Sequence, residues 1–201
     1  MSQSTVKIYS APPVDMRAVL RYALDTRLTP ETEELYRSCM EECLPKTVYK
    51  LCYLETEVSV TDFGVRLGGT HIPSDDLRRR LEGCEIAVVF AATVGLDYDR
   101  LVTRYGRLDT ARAHIINAIG TERVEALCDA FCADLADTHG GVTARFSAGY
   151  GDLPLELQRD IFAMLKPERI GIYLNGSLLM TPSKSVTAIV GIKQQGATEE
   201  L

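Results

Sequence analysis

The stretch Arg145-Phe146-Ser147-Ala148-Gly149-Tyr150-Gly151-Asp152-Leu153-Pro154 puts a fixed cation, an aromatic between two glycines, a carboxylate and a helix-starting proline into one short run. A guanidinium offers a planar fork of donors that matches a carboxylate. Gly149 and Gly151 allow a sharp turn and let a small ligand come close to the main chain. The turn pushes the Tyr150 ring outward. Such a set suits a small charged molecule gripped against backbone. The same residue types also make an ordinary tight loop between a strand and a helix, with Arg145 in a surface ion pair. The run alone leaves both readings open.

Elsewhere the chemistry is sparse. His71, His114 and His139 are scattered, with no ligand spacing. Six cysteines occur, Cys39, Cys43, Cys52, Cys84, Cys128 and Cys132, none in a C-x-x-C. The i,i+4 pairs Cys39/Cys43 and Cys128/Cys132 share a helix side but match zinc spacing poorly, so inert thiols and no metal site are expected. A nucleophile elbow G-x-S-x-G, a G-x-G-x-x-G and a phosphate loop are all missing. Asp129 falls on a long helix near Glu125 and Cys132, either on its solvated face or toward a cleft. Ser183-Lys184-Ser185 reads as turn chemistry.

These residues need positioning elements. Val6–Tyr9 reads as extended and ends at Pro12-Pro13, and residues 14–26 as a helix. Thr29-Pro30-Glu31 is a strong helix start, and that helix ends before Pro45. Residues 48–60 and 64–72 read as strands, the second with a bulge or tight turn at Gly68-Gly69. Ser74 caps a short helix. An apolar strand over 84–91 precedes helices over 96–105 and 110–137. Ile116, Val124, Leu127, Phe131 and Leu135 form the stripe of the long one, with Gly120 a break and Gly140-Gly141 its end. A short strand at 143–147, a helix at 154–165, and strands at 170–180 and 185–192 joined as a hairpin complete the chain. There is no regular strand-helix alternation, so the fold class expected is α+β, with a mixed, mostly antiparallel sheet flanked by helices. The chain reads as one domain over 1–201, with a helical region over about 1–45 and a core over about 84–192 that carries the motif.

Bulk properties set limits. The 201 residues are 46% apolar and 25% charged, usual for a globular protein, with loose ends expected at 1–5 and 194–201. A net charge of −6 argues against a nucleic-acid partner, which needs a basic face. The longest apolar run, Ile86 to Val94, is too short to span a membrane. The N-terminus lacks a secretion pattern, so the cytoplasm is the expected compartment.

Two motifs together carry a resemblance. Ser147-Ala148-Gly149-Tyr150-Gly151-Asp152-Leu153-Pro154-Leu155 and Leu179-Met180-Thr181-Pro182-Ser183-Lys184-Ser185-Val186-Thr187-Ala188 resemble the R-x-x-P-G-Y run and near-terminal strand of the reactivation domain of cobalamin-dependent methionine synthase, most closely its short stand-alone forms. Ala148 stands where that family has proline, Ser185 and Val186 where long members have aromatics, and Asp129 where they have glutamate. The resemblance implies an S-adenosylmethionine-binding module. Arg145 and Gly149 would hold the ligand, with Asp129 on its ammonium or ribose and backbone near Ser185 to Thr187 on its remaining edge. Tyr150 would face the cobalt as the catalytic-side residue. An N-terminal family carboxylate aligns with Asp25. The implied role is a methyltransferase component in methionine biosynthesis, inactive alone, that supports reductive methylation of cob(II)alamin on a partner. No cobalamin-binding D-x-H-x-x-G run is present, so the cobalamin would reside on that partner, a methionine synthase or another corrinoid protein. The electron would come from a flavodoxin-like or ferredoxin-like donor. A non-catalytic or divergent module of the same fold, serving another corrinoid methyltransferase, is the alternative.

Overall fold

The computed structural model describes residues 3–193, so the expectation for 194–201 falls outside the described residues. At the other end the chain is not loose: Ser4 is buried and strand β1 spans Thr5–Ile8. In chain order there follow α1 Met16–Tyr22, α2 Pro30–Cys43, β2 Lys50–Thr61, β3 Gly64–Leu67, β4 Thr70–Ile72, α3 Asp75–Arg80, β5 Ile86–Thr93, α4 Asp97–Tyr105, α5 Thr110–His139, α6 Leu157–Leu165, β6 Tyr173–Leu174, β7 Met180–Thr181 and β8 Ser185–Ile192.

The fold is α+β, as expected. One antiparallel sheet runs β4-β3-β2-β5-β8, and β1 pairs with the other end of the β2 edge that β3 occupies. Period-2 alternation divides its central strand between two cores. Val88, Phe90 and Ala92 of β5 face α1, α2, α4 and α5, whereas Ala87, Val89 and Ala91 face α3, α6 and the loops beside them. β8 divides likewise, with Ala188 and Val190 on the first face and Ile189 on the second. Because β5 is buried on both faces, it reads as an uninterrupted apolar run.

Local signals place most boundaries. The Thr29 hydroxyl accepts from the Thr32 amide and closes a capping box, with Pro30 at the first helical position. Ser74 caps α3 through the Leu77 amide. Gly68-Gly69 proves to be a tight turn that splits the expected single strand into β3 and β4.

Several expectations fail. α5 passes through Gly120 unbroken for 30 residues. The glycine serves packing instead: a Cβ there would sit 2.6 Å from Cδ1 of Tyr98 on α4 and 3.0 Å from Cγ of Lys184. Lys184 is no turn residue either; its ammonium donates to Asn117 Oδ1 at 2.8 Å and Thr121 Oγ1 at 3.0 Å, tying the start of β8 to α5. The hairpin between 170–180 and 185–192 does not form. β6 and β7 pair only with each other, while β8 joins the main sheet beside β5. Non-local pairing overrode sequence proximity there. α6 begins at Leu157 rather than Pro154, because 154–159 first makes a run of i→i+3 turns.

A buried pair anchors the N-terminal segment. Arg123 is fully buried on α5, donating to the carbonyls of Pro12 at 2.6 Å and Pro13 at 2.7 Å, and its Nε donates to Glu122. Glu122 in turn accepts from the Asp15 amide at 3.0 Å. Removing one member of such a pair leaves an uncompensated buried charge, which typically costs about 3–5 kcal/mol.

The packing at Gly120 gives a test. Alanine is the better helix former by about 1 kcal/mol, yet overpacking against Tyr98 should cost about 1–3 kcal/mol. Urea denaturation of Gly120→Ala should therefore show a net loss of stability. A gain would contradict the contact.

Candidate functional site

The segment after α5 runs along the outer edge of β8 and then leaves it. Lys193 donates to the Gly141 carbonyl at 3.1 Å, Thr143 to the Gly191 carbonyl at 2.9 Å, and Phe146 and Ile189 exchange bonds of 3.0 and 2.9 Å. Only isolated bridges result, so the strand expected at 143–147 is an irregular edge segment. In an antiparallel ladder, alternate residues turn both backbone groups to the same side. Residues 189, 191 and 193 point outward to this segment, so Thr187 and Ser185 point outward as well. Among the described residues no hydrogen bond meets their outward N–H and C=O groups. Paired backbone is the rule in folded chains, so an open stretch of edge beside a cavity is a feature to account for.

Beside that open edge lies a groove of about 460 Å³. Its walls include Arg80, Glu125, Arg145, Tyr150, Gln158 and the Ser185–Thr187 stretch. The volume falls in the usual range for small-ligand sites. The hydroxyls of the edge residues are already committed: Thr187 donates to Gln158 Oε1 at 2.9 Å, and Ser185 pairs with Thr93 at 2.9 Å. What β8 offers the groove is backbone.

Arg145 is in an ion-pair cluster. Its Nη1 donates to Asp129 at 2.5 Å and its Nη2 to Glu125 at 2.8 Å, with the arginine side chain 23% exposed. Both carboxylates come from adjacent turns of α5, since residues four apart share a helix face. Asp129 is therefore neither plain solvated surface nor a free carboxylate. Its side chain borders a second groove, between α1 and α5, and Glu125 borders both. Glu125 was noted in the sequence only as a neighbour of Asp129. The i,i+4 spacing of two carboxylates was the signal for it.

The glycine-flanked bend holds its shape by internal bonds. Gly149 has φ +89° and Gly151 φ +55°, a region that disfavours other residues. The Gly149 amide donates to the Leu153 carbonyl at 2.9 Å, and the Tyr150 amide to the Ser147 carbonyl at 3.2 Å. Gly149 does not line the groove and its donor is used, so its part is conformational rather than ligand contact. The Tyr150 ring does reach the groove mouth, and the residue is 68% exposed.

Asp152 has a different task from the ligand grip that its place in the run suggested. Its carboxylate accepts from the Ser74 hydroxyl at 2.5 Å and the Asp75 amide at 2.7 Å, at the start of α3. The Asp152 amide reaches back to the Asp76 carboxylate at 3.3 Å. A side chain on Gly151 would run into that same Asp76 carboxylate. The bend is thereby pinned to α3. Asp25, offered by the alignment as an N-terminal site carboxylate, instead accepts from the Tyr36 hydroxyl and lines neither groove. Asp15, the residue that caps α1, borders the α1–α5 groove in its place.

The cysteines stand apart from this chemistry. All six thiols are free and five are buried. Burial pushes those of Cys39, Cys43 and Cys52 up to about 11. Among the described residues no group of three His, Cys, Asp or Glu side chains is arranged to hold a metal ion, and no helix is long and apolar enough to cross a membrane.

The pin at Asp152 predicts a pH dependence. The Ser74 hydroxyl, and then the amides of Asp75 and Asp76, hold its carboxyl below the ordinary value of 3.8. A depressed folded-state value means the contribution is present above 3.8 and is lost as pH falls from there toward the folded value. Exchange protection of the Asp75 and Asp76 amides should fall in that acid window in the native protein. In Asp152→Asn the acid-side loss should disappear. An identical profile in both proteins would contradict the pin.

No protein-family model matches the sequence, and no curated protein matches it. Among solved structures, the crystal structure of the MetH reactivation domain bound to AdoHcy is similar. The match covers 97% of this chain and 80% of that one, with a TM-score of 0.70 and 12% sequence identity. The chain thus has the fold of the MetH reactivation domain, as its two motifs suggested.

Proposed function

We propose that this chain binds S-adenosylmethionine in the groove beside the open edge of β8. It then presents the methyl group to a cobalamin-carrying methionine synthase, acting in trans to restore that enzyme's oxidised cofactor. One observation carries the reading: a guanidinium–carboxylate cluster and an unpaired strand edge meet in a single groove, in a fold that the MetH reactivation domain adopts with AdoHcy bound.

The residues present suit such a ligand. Its amino-acid end carries an ammonium and a carboxylate, and its sulfonium is positive. Glu125 and Asp129, held in place by Arg145, complement the positive groups. An adenine edge presents donors and acceptors, as does the outward backbone of Ser185 and Thr187. When bound, the ligand supplies a methyl group already made electrophilic by its sulfonium. The chain therefore needs no general acid or base; its residues bind, orient and exclude water, and positioning supplies the rate. The exposed Tyr150 ring stands where it can cover the upper face of a corrin held by the partner. The electron comes from a flavodoxin-like or ferredoxin-like donor, and the setting is the cytoplasm.

Isothermal titration with S-adenosylmethionine tests the ligand. The wild type should bind, and Arg145→Ala should weaken binding about tenfold or more, in line with charge-assisted hydrogen bonds of about 1.5–3 kcal/mol. Absence of binding, or an unaffected variant, would contradict the site. Mixing the protein with methionine synthase, electron donor and ligand should speed the decay of cob(II)alamin absorbance. Acceleration only with a different corrinoid methyltransferase would transfer the role to that partner.

A further inference from the structure

Arg80, the last residue of α3, stands on the wall of the same groove, with its guanidinium carbon 4.5 Å from the centroid of the Phe146 ring. The two arginines before it are neutralised within the helix. Arg78 pairs with Asp75 at 3.3 Å and Arg79 with Asp76 at 2.5 Å. Among the described residues no carboxylate lies within ion-pair distance of Arg80, nor does its guanidinium donate a hydrogen bond.

Arg145 is in the opposite situation. Both of its terminal nitrogens are taken by protein carboxylates. With Glu125 and Asp129 against Arg145, that cluster carries one net negative charge. It attracts an ammonium and offers a carboxylate no terminal fork. Arg80 restores neutrality across the groove. Phe146 fixes where its charge sits, because that ring belongs to a residue doubly bonded to Ile189. A guanidinium stacked on an aromatic face is weakly hydrated and keeps its in-plane donors free.

We infer that Arg80, rather than Arg145, receives the carboxylate of the ligand's amino-acid end, while Glu125 and Asp129 receive its ammonium. The inference rests on the S-adenosylmethionine reading and adds a specificity residue to it. Arg145 becomes a positioning residue that sets the two acidic side chains. The groove then distinguishes a whole amino-acid end from a nucleoside thioether without its carboxylate.

The test pairs two ligands with two proteins. S-adenosylhomocysteine and its decarboxylated counterpart are titrated into the wild type and into Arg80→Gln, which keeps a stem of similar reach at this exposed position. The wild type should prefer the carboxylated ligand about tenfold or more. Arg80→Gln should lose that preference while binding the decarboxylated ligand as the wild type does. A preference that survives in Arg80→Gln would return the carboxylate to Arg145 and overturn the inference, leaving the ligand reading intact. Failure of the wild type to bind either compound would overturn both.

Discussion

Two backbone hydrogen bonds between Phe146 and Ile189 set the point at which the sheet edge stops being covered. C-terminal to that point on β8, residues 189, 191 and 193 all pair outward with the segment after α5. Before it, the chain from Ser147 turns away through the Gly149 bend, and Ser185 and Thr187 face the groove with backbone only. Both the groove and its polar lining follow from that divergence. The same bonds hold the Phe146 ring beneath Arg80 and deliver Arg145 to the carboxylates of α5. A shift in this register would displace all three together.

The rest of the scaffold keeps the divergence rigid. α5 supplies Glu125 and Asp129, and it is fixed along its length by unrelated contacts. Arg123 and Glu122 hold the segment before α1, Gly120 admits Tyr98 and the Lys184 stem, and Lys184 fastens the first residues of β8. On the other side Asp152 ties the bend to α3 and so sets where Arg80 stands relative to the bend. The groove is thus a junction of the edge strand, α5, α3 and the bend. Side chains held from independent directions are suited to a task that depends on alignment more than on proton transfer.

How much of this was legible in the sequence depends on how local the cause was. Thr29-Pro30 and Ser74 announced helix starts because capping is settled within four residues. The stripe of α5 was legible because burial follows the helical period, and Gly140 ended the helix in the left-handed conformation that glycine favours. The run at 145–154 was correctly singled out, yet its parts were misassigned. Asp152 resembles a ligand carboxylate until α3 is placed beside it, and Gly149 resembles a ligand contact until its amide is seen bonded to Leu153. Arg80 was invisible as a site residue, since nothing near it in sequence points to Phe146. Gly120 was misread because helix propensity carries no information about a tyrosine on another helix. The partner of β8 lies some ninety residues upstream on β5 (Thr93 opposite Ser185), beyond the reach of a hairpin rule.

The most direct measurement is an amide-resolved NMR titration with S-adenosylhomocysteine. The account requires the Thr187 amide, which points outward without a protein partner, to shift on binding and to become slower to exchange, while the Ile189 amide keeps its bond to Phe146. Saturable binding that leaves Thr187 untouched, with the changes gathered instead at the α1–α5 groove, would contradict the claim that the open edge of β8 is the ligand's seat.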